Sequence, residues 1–353
     1  PHDELYDLQN DPRESASLTG ERPQVRQAMR RALEQVMAGA TIDAPEAVSE
    51  ADRQRLAALG YVGNGAAAAL TLPGDQLPDP KDKRDVLDTY RRAQDLAATF
   101  DFDRAAALYR DILRDDPEML DVWTQLAQAY IRTGRSAEAV DAYRRVIERN
   151  AKDVGSLIGA GGELLRMGRL DEAQKYGELA VSVTPALGHE LLAKIAVQRK
   201  DAPAARREAA LAHDADPSLP MPDIVEGMLL YNAGRYAECV PRFAAAAQAI
   251  QRRTVQVPDI DYYIGDSLAR MERYPEAERF LKAEVAVFPF NTRARAGLAM
   301  LYRATGRDAE SEQAIVEMLR VSPQGDGPAL ARQLWTMFGE PQKAAAVKGA
   351  KSP

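Results

Sequence analysis

From residue 86 to residue 323, apolar side chains recur every three to four positions, in runs broken by short polar segments. That spacing puts them on one face of a helix, so the pattern predicts a succession of amphipathic helices. Proline marks the breaks: Pro117, Pro185, Pro217, Pro289 and Pro323 each follow such a run. Pro117 and Pro185 are two units of 34 residues apart, with Ala151 in the middle slot, and Pro289 to Pro323 is another 34. The unit closing at Pro217 runs slightly short, and the one around Gln251 to Pro258 slightly long. A fixed period of this length predicts helix pairs that pack mainly on their neighbours.

Aligned on the closing proline or the inter-helix glycine, seven units agree at two positions. The eighth position holds Ala93, Ala127, Gly161, Ala193, Gly227, Gly265 and Ala299. The twentieth holds Ala105, Ala139, Ala173, Ala205, Cys239, Ala277 and Ser311. All fourteen are small, as needed where the two helices of a unit cross and a larger side chain would push their axes apart. Tyr109, Tyr143, Phe243, Leu281 and Ile315 fill the large apolar position of the second helix. Gly134, Gly168, Gly234 and Gly306 fall between the helices, where a left-handed residue ends the first helix at low cost. The fourth unit is weakest, with Ala209 and Ala212 in place of bulkier residues.

This pattern resembles the tetratricopeptide repeat (TPR), whose signature is approached by Trp123, Leu126, Ala127 and Tyr130 of the second unit, with Ala for Gly. The resemblance covers residues 86 to 323 and implies an all-α fold, a TPR solenoid of about seven repeats. Leu330, Leu334 and Phe338 share one face of a further helix over Pro328 to Phe338, expected to cap the open end of the stack. A short helix at Gln342 to Val347 completes the cap. The organisation expected is a small N-terminal segment at 1–63, a linker at 64–85, repeats at 86–323, and a capping helix and tail at 324–353.

The first eighty residues lack the repeat. Glu4-Leu5-Tyr6-Asp7-Leu8 alternates polar and apolar, which predicts a strand, and Asn10-Asp11-Pro12-Arg13 a turn. Val25, Met29, Leu33 and Val36 predict a helix from Arg22 to Met37, and a second helix is expected from Ser49 to Leu59, ended by Gly60. The words Glu4 to Leu8 and Asp11-Pro12-Arg13-Glu14 with Leu18 resemble the C-terminal signature of bacterial sulfatases, departing from it at Ser17. Leu56 to Gly63 is similar to the segment closing the sulfatase part in sulfatase–TPR fusions. The resemblance implies an upstream metal-dependent hydrolase, a divalent metal held there and not here, and a periplasmic or cell-surface location. It also implies that the chain is cut from something longer. Cut from its sheet, the strand at Glu4 would be an orphaned edge that invites self-association.

With 46 Lys and Arg against 53 Asp and Glu the formal net charge is −7, which argues against a general affinity for nucleic acid or anionic membrane. The longest apolar runs, such as Gly65 to Leu70, are too short to span a bilayer. Cys239 is the only cysteine, so no intrachain disulfide can form. Cys239-Val240-Pro241-Arg242 imitates a sulfatase nucleophile motif, but its arginine comes one residue early and its cysteine sits in a small packing slot. His2, His189 and His213 are scattered, and His189 takes a position suited to packing. Asp115-Asp116 is expected at a helix end. Gly159, Gly161 and Gly162 lie inside a helix, where they permit close packing or weaken it locally. No catalytic site and no cofactor are expected in this chain.

In the repeat family the first helix of each unit lines the concave face, and its positions two, five, nine, twelve and thirteen meet the partner. Carried over, these are Tyr90 and Gln94 in the first unit, and Thr124, Gln128, Ile131 and Arg132 in the second. Ile158, Leu165 and Arg166 follow, then Glu190, Lys194 and Val197. The fifth unit gives Met221, Ile224, Met228, Tyr231 and Asn232, the sixth Tyr262, Asp266 and Arg270, and the seventh Arg293, Met300 and Arg303. The Lys/Asn/Arg clamp for a C-terminal carboxylate is not found in this register. Met221, Ile224, Met228 and Tyr231 form an apolar stripe that either receives an amphipathic helix or packs against a neighbouring element. The function expected is a scaffold that binds a protein or peptide, an upstream sulfatase-like domain being one such partner. The alternative is the C-terminal part of that hydrolase.

Overall fold

The computed structural model describes residues 4–37, 84–251 and 257–347. They contain seventeen helices, and among the described residues there is no strand. The chain divides into two compact units, 1–88 and 89–353. In the first, Glu4 to Leu8 is not the expected strand. Asp7 accepts hydrogen bonds from the backbone of Gln9 and Asn10 and turns the chain, and the Leu18 N–H donates to the Leu5 carbonyl over 2.7 Å. Period-two alternation needs a partner strand to become a sheet, and short polar side chains offered the backbone local bonds instead. The proposed orphaned edge, and self-association through it, falls with the strand. Helix α1 (Pro23–Met37) forms as expected. The second helix, the linker and the word at 56–63 lie outside the described residues.

From residue 84 onward the helices pair as the period predicts. α2 (Arg84–Ala98) precedes α3 (Phe102–Asp115), α4 (Leu120–Arg132) α5 (Ser136–Arg149), and α6 (Val154–Arg166) α7 (Leu170–Val181). α8 (Pro185–Gln198) and α9 (Ala202–Ala215), α10 (Met221–Asn232) and α11 (Tyr236–Gln251), and α12 (Ile260–Arg270) and α13 (Tyr274–Val287) follow. α14 (Thr292–Ala304) with α15 (Asp308–Val321) closes the seventh pair, and α16 (Asp326–Met337) with α17 (Pro341–Ala346) caps it. Side-chain caps start several of them: Asp153 accepts from the Ser156 N–H at 2.8 Å, Asp201 from Ala204 at 3.0 Å and Asn291 from Ala294 at 3.1 Å. Asp115 and Asp116 end α3, as expected.

Every one of the fourteen small positions is buried. At Gly227 an added Cβ would lie 2.9 Å from the Phe243 ring, and at Gly265 2.8 Å from Leu281, so the close crossing requires glycine there. The five large residues of the second helices are buried beside them. Cys239 is a packed thiol, its sulfur 3.1 Å from the Ser267 hydroxyl, and burial pushes its pKa up. Trp123 is half-buried rather than in the core, its Nε1–H donating to the Pro117 carbonyl at 2.9 Å. His189 does more than pack, since its Nδ1 lies 2.8 Å from the Glu208 carboxylate.

Gly134, Gly168, Gly234 and Gly306 take φ of 73–74°, as the register predicts. In the other three units the same place holds Phe100, Lys200 and Glu272, with φ of 61–67°. A left-handed backbone is costly for such residues and persists only where the surroundings enforce it.

A candidate binding chamber ringed by the first helices

The first helices of the pairs, together with the turns leading into them, supply most of the wall of a cavity of about 540 Å³. Leu165 and Arg166 reach it from the end of α6, and Glu190, Lys194 and Val197 from α8. α10 contributes Met221, Ile224, Met228 and Asn232. The turn before α12 brings Asp259 and the helix's first residue Ile260, the turn before α14 brings Phe290 and Asn291, and Arg293 follows from α14 itself. Gly162 faces open space on this side, where a side chain would only fill the void. The volume falls within the range of sites for small ligands. One turn of a helix with its side chains fills roughly 400–600 Å³, so the cavity as it stands takes about one turn.

Three bases and three acids line the wall, and each is engaged. Lys194 Nζ lies 2.6 Å from Glu190, Arg166 3.1 Å from Asp326, and Arg293 3.9 Å from Asp259. The Arg293 guanidinium also lies over the rings of Tyr262 and Tyr263, at 4.3 and 5.2 Å. Asn291 donates to Asp259 at 2.9 Å and to Glu284 at 2.8 Å, and Glu284 also accepts from the Asp259 N–H at 2.8 Å. Burial pushes the Glu284 carboxyl above its ordinary pKa. The remaining wall is largely apolar, with methionines that adapt to irregular shapes.

Of the residues carried over from the repeat pattern, Leu165, Arg166, Glu190, Lys194, Val197, Met221, Ile224, Met228, Asn232 and Arg293 share this wall. Within the apolar stripe, Met221 and Ile224 are buried in the core between repeats, while their edges and Met228 face the cavity. Tyr231, Asp266 and Arg270 do not line it and form their own network. The Tyr231 hydroxyl donates to Asp266 and Arg270 Nε donates to the same oxygen, both at 2.6 Å. Tyr262 is buried beneath Arg293. Tyr90 packs beside Tyr109 with ring centroids 6.0 Å apart, while Gln94 and Gln128 are exposed and the Thr124 hydroxyl donates to the Leu120 carbonyl. Arg132 reaches across the stack, its guanidinium 4.3 Å from the centre of the Phe290 ring.

That last contact belongs to a second seam, where the first repeats meet the last. Phe290 stands edge-on to Phe100 at 5.2 Å and to Phe102 at 5.7 Å. Gln324 donates to Asp103 at 2.8 Å, 221 residues away in sequence, and Gly325 rests on the backbone of Gly134. The register gave Arg132 and Arg166 but not Phe290, Asp259 or Asp326. Those three sit in turns or at the first residue of the cap, outside the positions that repeat. The seam is made of contacts that are individually weak: an exposed ion pair contributes about 0–1 kcal/mol, an aromatic pair about 0.5–1.5, and a guanidinium over a ring about 0.5–1. Among the described residues no group of three or more His, Cys, Asp or Glu side chains is placed to hold a metal ion, and no helix is long and apolar enough to cross a membrane.

Residues 96–161 and 262–326 each match a family model described as tetratricopeptide repeat. No curated protein sequence matches the chain. Among solved structures it is similar to the APC/C hetero-tetramer Cut9–Hcn1, at 14% identity and TM-score 0.45, covering 69% of this chain and 47% of that one. A tetratricopeptide repeat protein from Parabacteroides merdae is 14% identical with TM-score 0.38 over 73% of this chain and 89% of that one. The thermophilic TPR protein TTC0263 of Thermus thermophilus is 17% identical with TM-score 0.41 over 52% and 98%. The two matched segments and the buried small residues at both helix crossings give one conclusion: the chain carries tetratricopeptide repeats and folds as an all-α TPR solenoid.

Proposed function

We infer that the chain is a non-catalytic interaction module that holds a segment of another protein in the chamber lined by its first helices. Repeats of this kind generally mediate protein–protein interaction. The observation that carries the reading is the wall itself, which is apolar with an equal number of acids and bases. A neutral, largely apolar segment leaves those ion pairs intact, whereas a highly charged one would have to break them. Wall amides such as Asn232 and Gln198 suit the hydrogen-bonding groups of a peptide backbone.

A photo-crosslinking residue placed at Asn232, and separately at exposed Arg145 on α5, tests this in the cells of origin. A protein adduct specific to position 232 is the expected outcome. Equal adducts at both positions, or one only at 145, would move binding to another face.

A second reading makes the repeats the arm of a sulfatase-like hydrolase, supported by the residue words at 4–18 and 56–63. An antibody to residues 86–323 would then detect a native protein far larger than 38.7 kDa. A band at that mass sets this reading aside.

A further inference from the structure

We propose that the seam between the first and last repeats is a latch that holds the stack closed over the chamber and gates entry to it. This deepens the reading above and rests on it for the chamber's role, though the latch is defined by its own contacts.

Three kinds of contact converge at one place. The Phe290 ring lines the chamber and also meets Phe100, Phe102 and the Arg132 guanidinium. Asp326, also in the chamber wall, receives both its carboxylate oxygens' hydrogen bonds from Arg166, at 3.1 and 3.2 Å and 160 residues away. At Gly134 an added Cβ would collide with the Gly325 backbone, so two backbones meet there without side chains between them. Phe100 completes the set. It holds φ of 67° at a turn where four other units use glycine, and it presents its ring to Phe290.

The consequence follows from size. Closed, the chamber admits a short extended segment or single inserted side chains, because a longer helix needs more room than about 540 Å³ provides. Opening the latch would uncover the apolar wall of α10 and enlarge the site. The phenylalanines and ion pairs lie at exposed or half-buried positions between turns and helix ends, so they can part without unpacking any helix pair.

The test uses the full chain with spin labels at Arg110 and Gln313, both exposed and outside the seam, the native Cys239 being buried. Double electron–electron resonance gives the separation of the first and seventh repeats, and the neutral dye Nile red reports access to the apolar wall. Asp326→Arg sets two positive charges against each other and should broaden the distances outward, with dye affinity rising about tenfold as the open state becomes populated. Adding Arg166→Glu restores an opposite-charge pair and should return both readings toward those of the parent. Phe290→Ser should act like Asp326→Arg, with circular dichroism confirming unchanged helix content. Met228→Lys, in the chamber wall, should remove the gain in dye binding without changing the distances. Unchanged distances in both seam variants would overturn the latch. Wider distances with no dye uptake would overturn it as a gate. Neither result depends on whether Asn232 captures a partner, so failure of the latch and failure of the binding reading stay separable.

Discussion

The repeat region is held by two seams of different kinds, one inside each helix pair and one between the ends of the stack. Inside the pairs, Ala, Gly, Cys or Ser sits buried at each crossing, and in five of the seven units a large buried residue such as Phe243 or Leu281 lies beside it. These contacts lie close in sequence, recur in every unit, and depend on shape. Between the ends, Phe290, Arg132, Gln324, Asp103 and Gly134 take part in contacts made once, across separations reaching the 221 residues between Asp103 and Gln324, at exposed or half-buried sites. The first seam keeps the fold and the second shapes the site. A repeated contact is tolerant of the stack's curvature, whereas a single closing contact depends on the sum of all the small rotations between units.

The largest expected effects fall on the first seam. Phe243→Ala removes a fully buried ring stacked on Tyr263 at a centroid distance of 4.8 Å, and should cost about 3–5 kcal/mol in denaturant unfolding. Cys239→Leu overfills a crossing that is fully buried and should cost about 1–3 kcal/mol. Trp123→Ala would carry the larger of those two figures if the ring were in the core. Half-buried as it is, its loss should fall below that of Phe243, and an equal loss would show that the two positions are packed alike.

Acid should sharpen the comparison further. Glu278 sits between Arg307 at 2.6 Å and Lys282 at 2.6 Å, joining the sixth repeat to the seventh, and the Arg307 hydrogen bond leads in lowering its pKa from 4.5 to about 2. A lowered carboxylate pKa contributes stability above its unfolded value, and that contribution is lost as pH falls from about 4.5 toward 2. Unfolding midpoints measured across that window should fall with pH, and Glu278→Gln should flatten the slope. Glu284 acts in the opposite sense: its raised pKa favours folding at low pH and loses that contribution as pH rises above its ordinary value.

The smallest effect concerns the turns. Lys200→Gly and Glu272→Gly relieve a left-handed backbone and should each stabilise by about 0.5–1 kcal/mol, after the greater entropy of glycine in the unfolded chain is offset. Phe100→Gly should bring no such gain, because it also removes a ring from the far seam. A gain equal to the other two would mean that this ring contributes nothing.

What could be read in the sequence divides along the same line. The crossings at Ala127, Gly227 and Cys239, the turn at Gly134 and the cap beyond Pro323 were legible because each expresses a local rule, repeated in seven units at the crossings and four at the turns, or bounded by proline. The strand at Glu4 was misread because alternation over five residues has no partner to confirm it, and Asp7 turned the chain. Glu190, Lys194 and Met228 were placed on the inner face by register, yet register could not separate them from Tyr231, whose hydroxyl turns away to Asp266. Phe290 and Asp326 carried no periodic signal at all. A pairing in which arginine opens the second helix and bonds glutamate three residues on, as in Arg169–Glu172 and Arg273–Glu276, recurs in five units and also went unread. It is exposed, and such pairs contribute little individually.

Hydrogen exchange followed by mass spectrometry on Phe290→Ser tests the division between the seams most directly. The helices from α5 to α13 should keep their protection, while residues 99–103 and 131–135, the last at the end of α4, lose theirs. Uniform loss of protection along the repeats would contradict the division, showing that the far seam is part of the core. No change at 131–135 would contradict it as well, by showing that Phe290 does not hold the first repeats to the last.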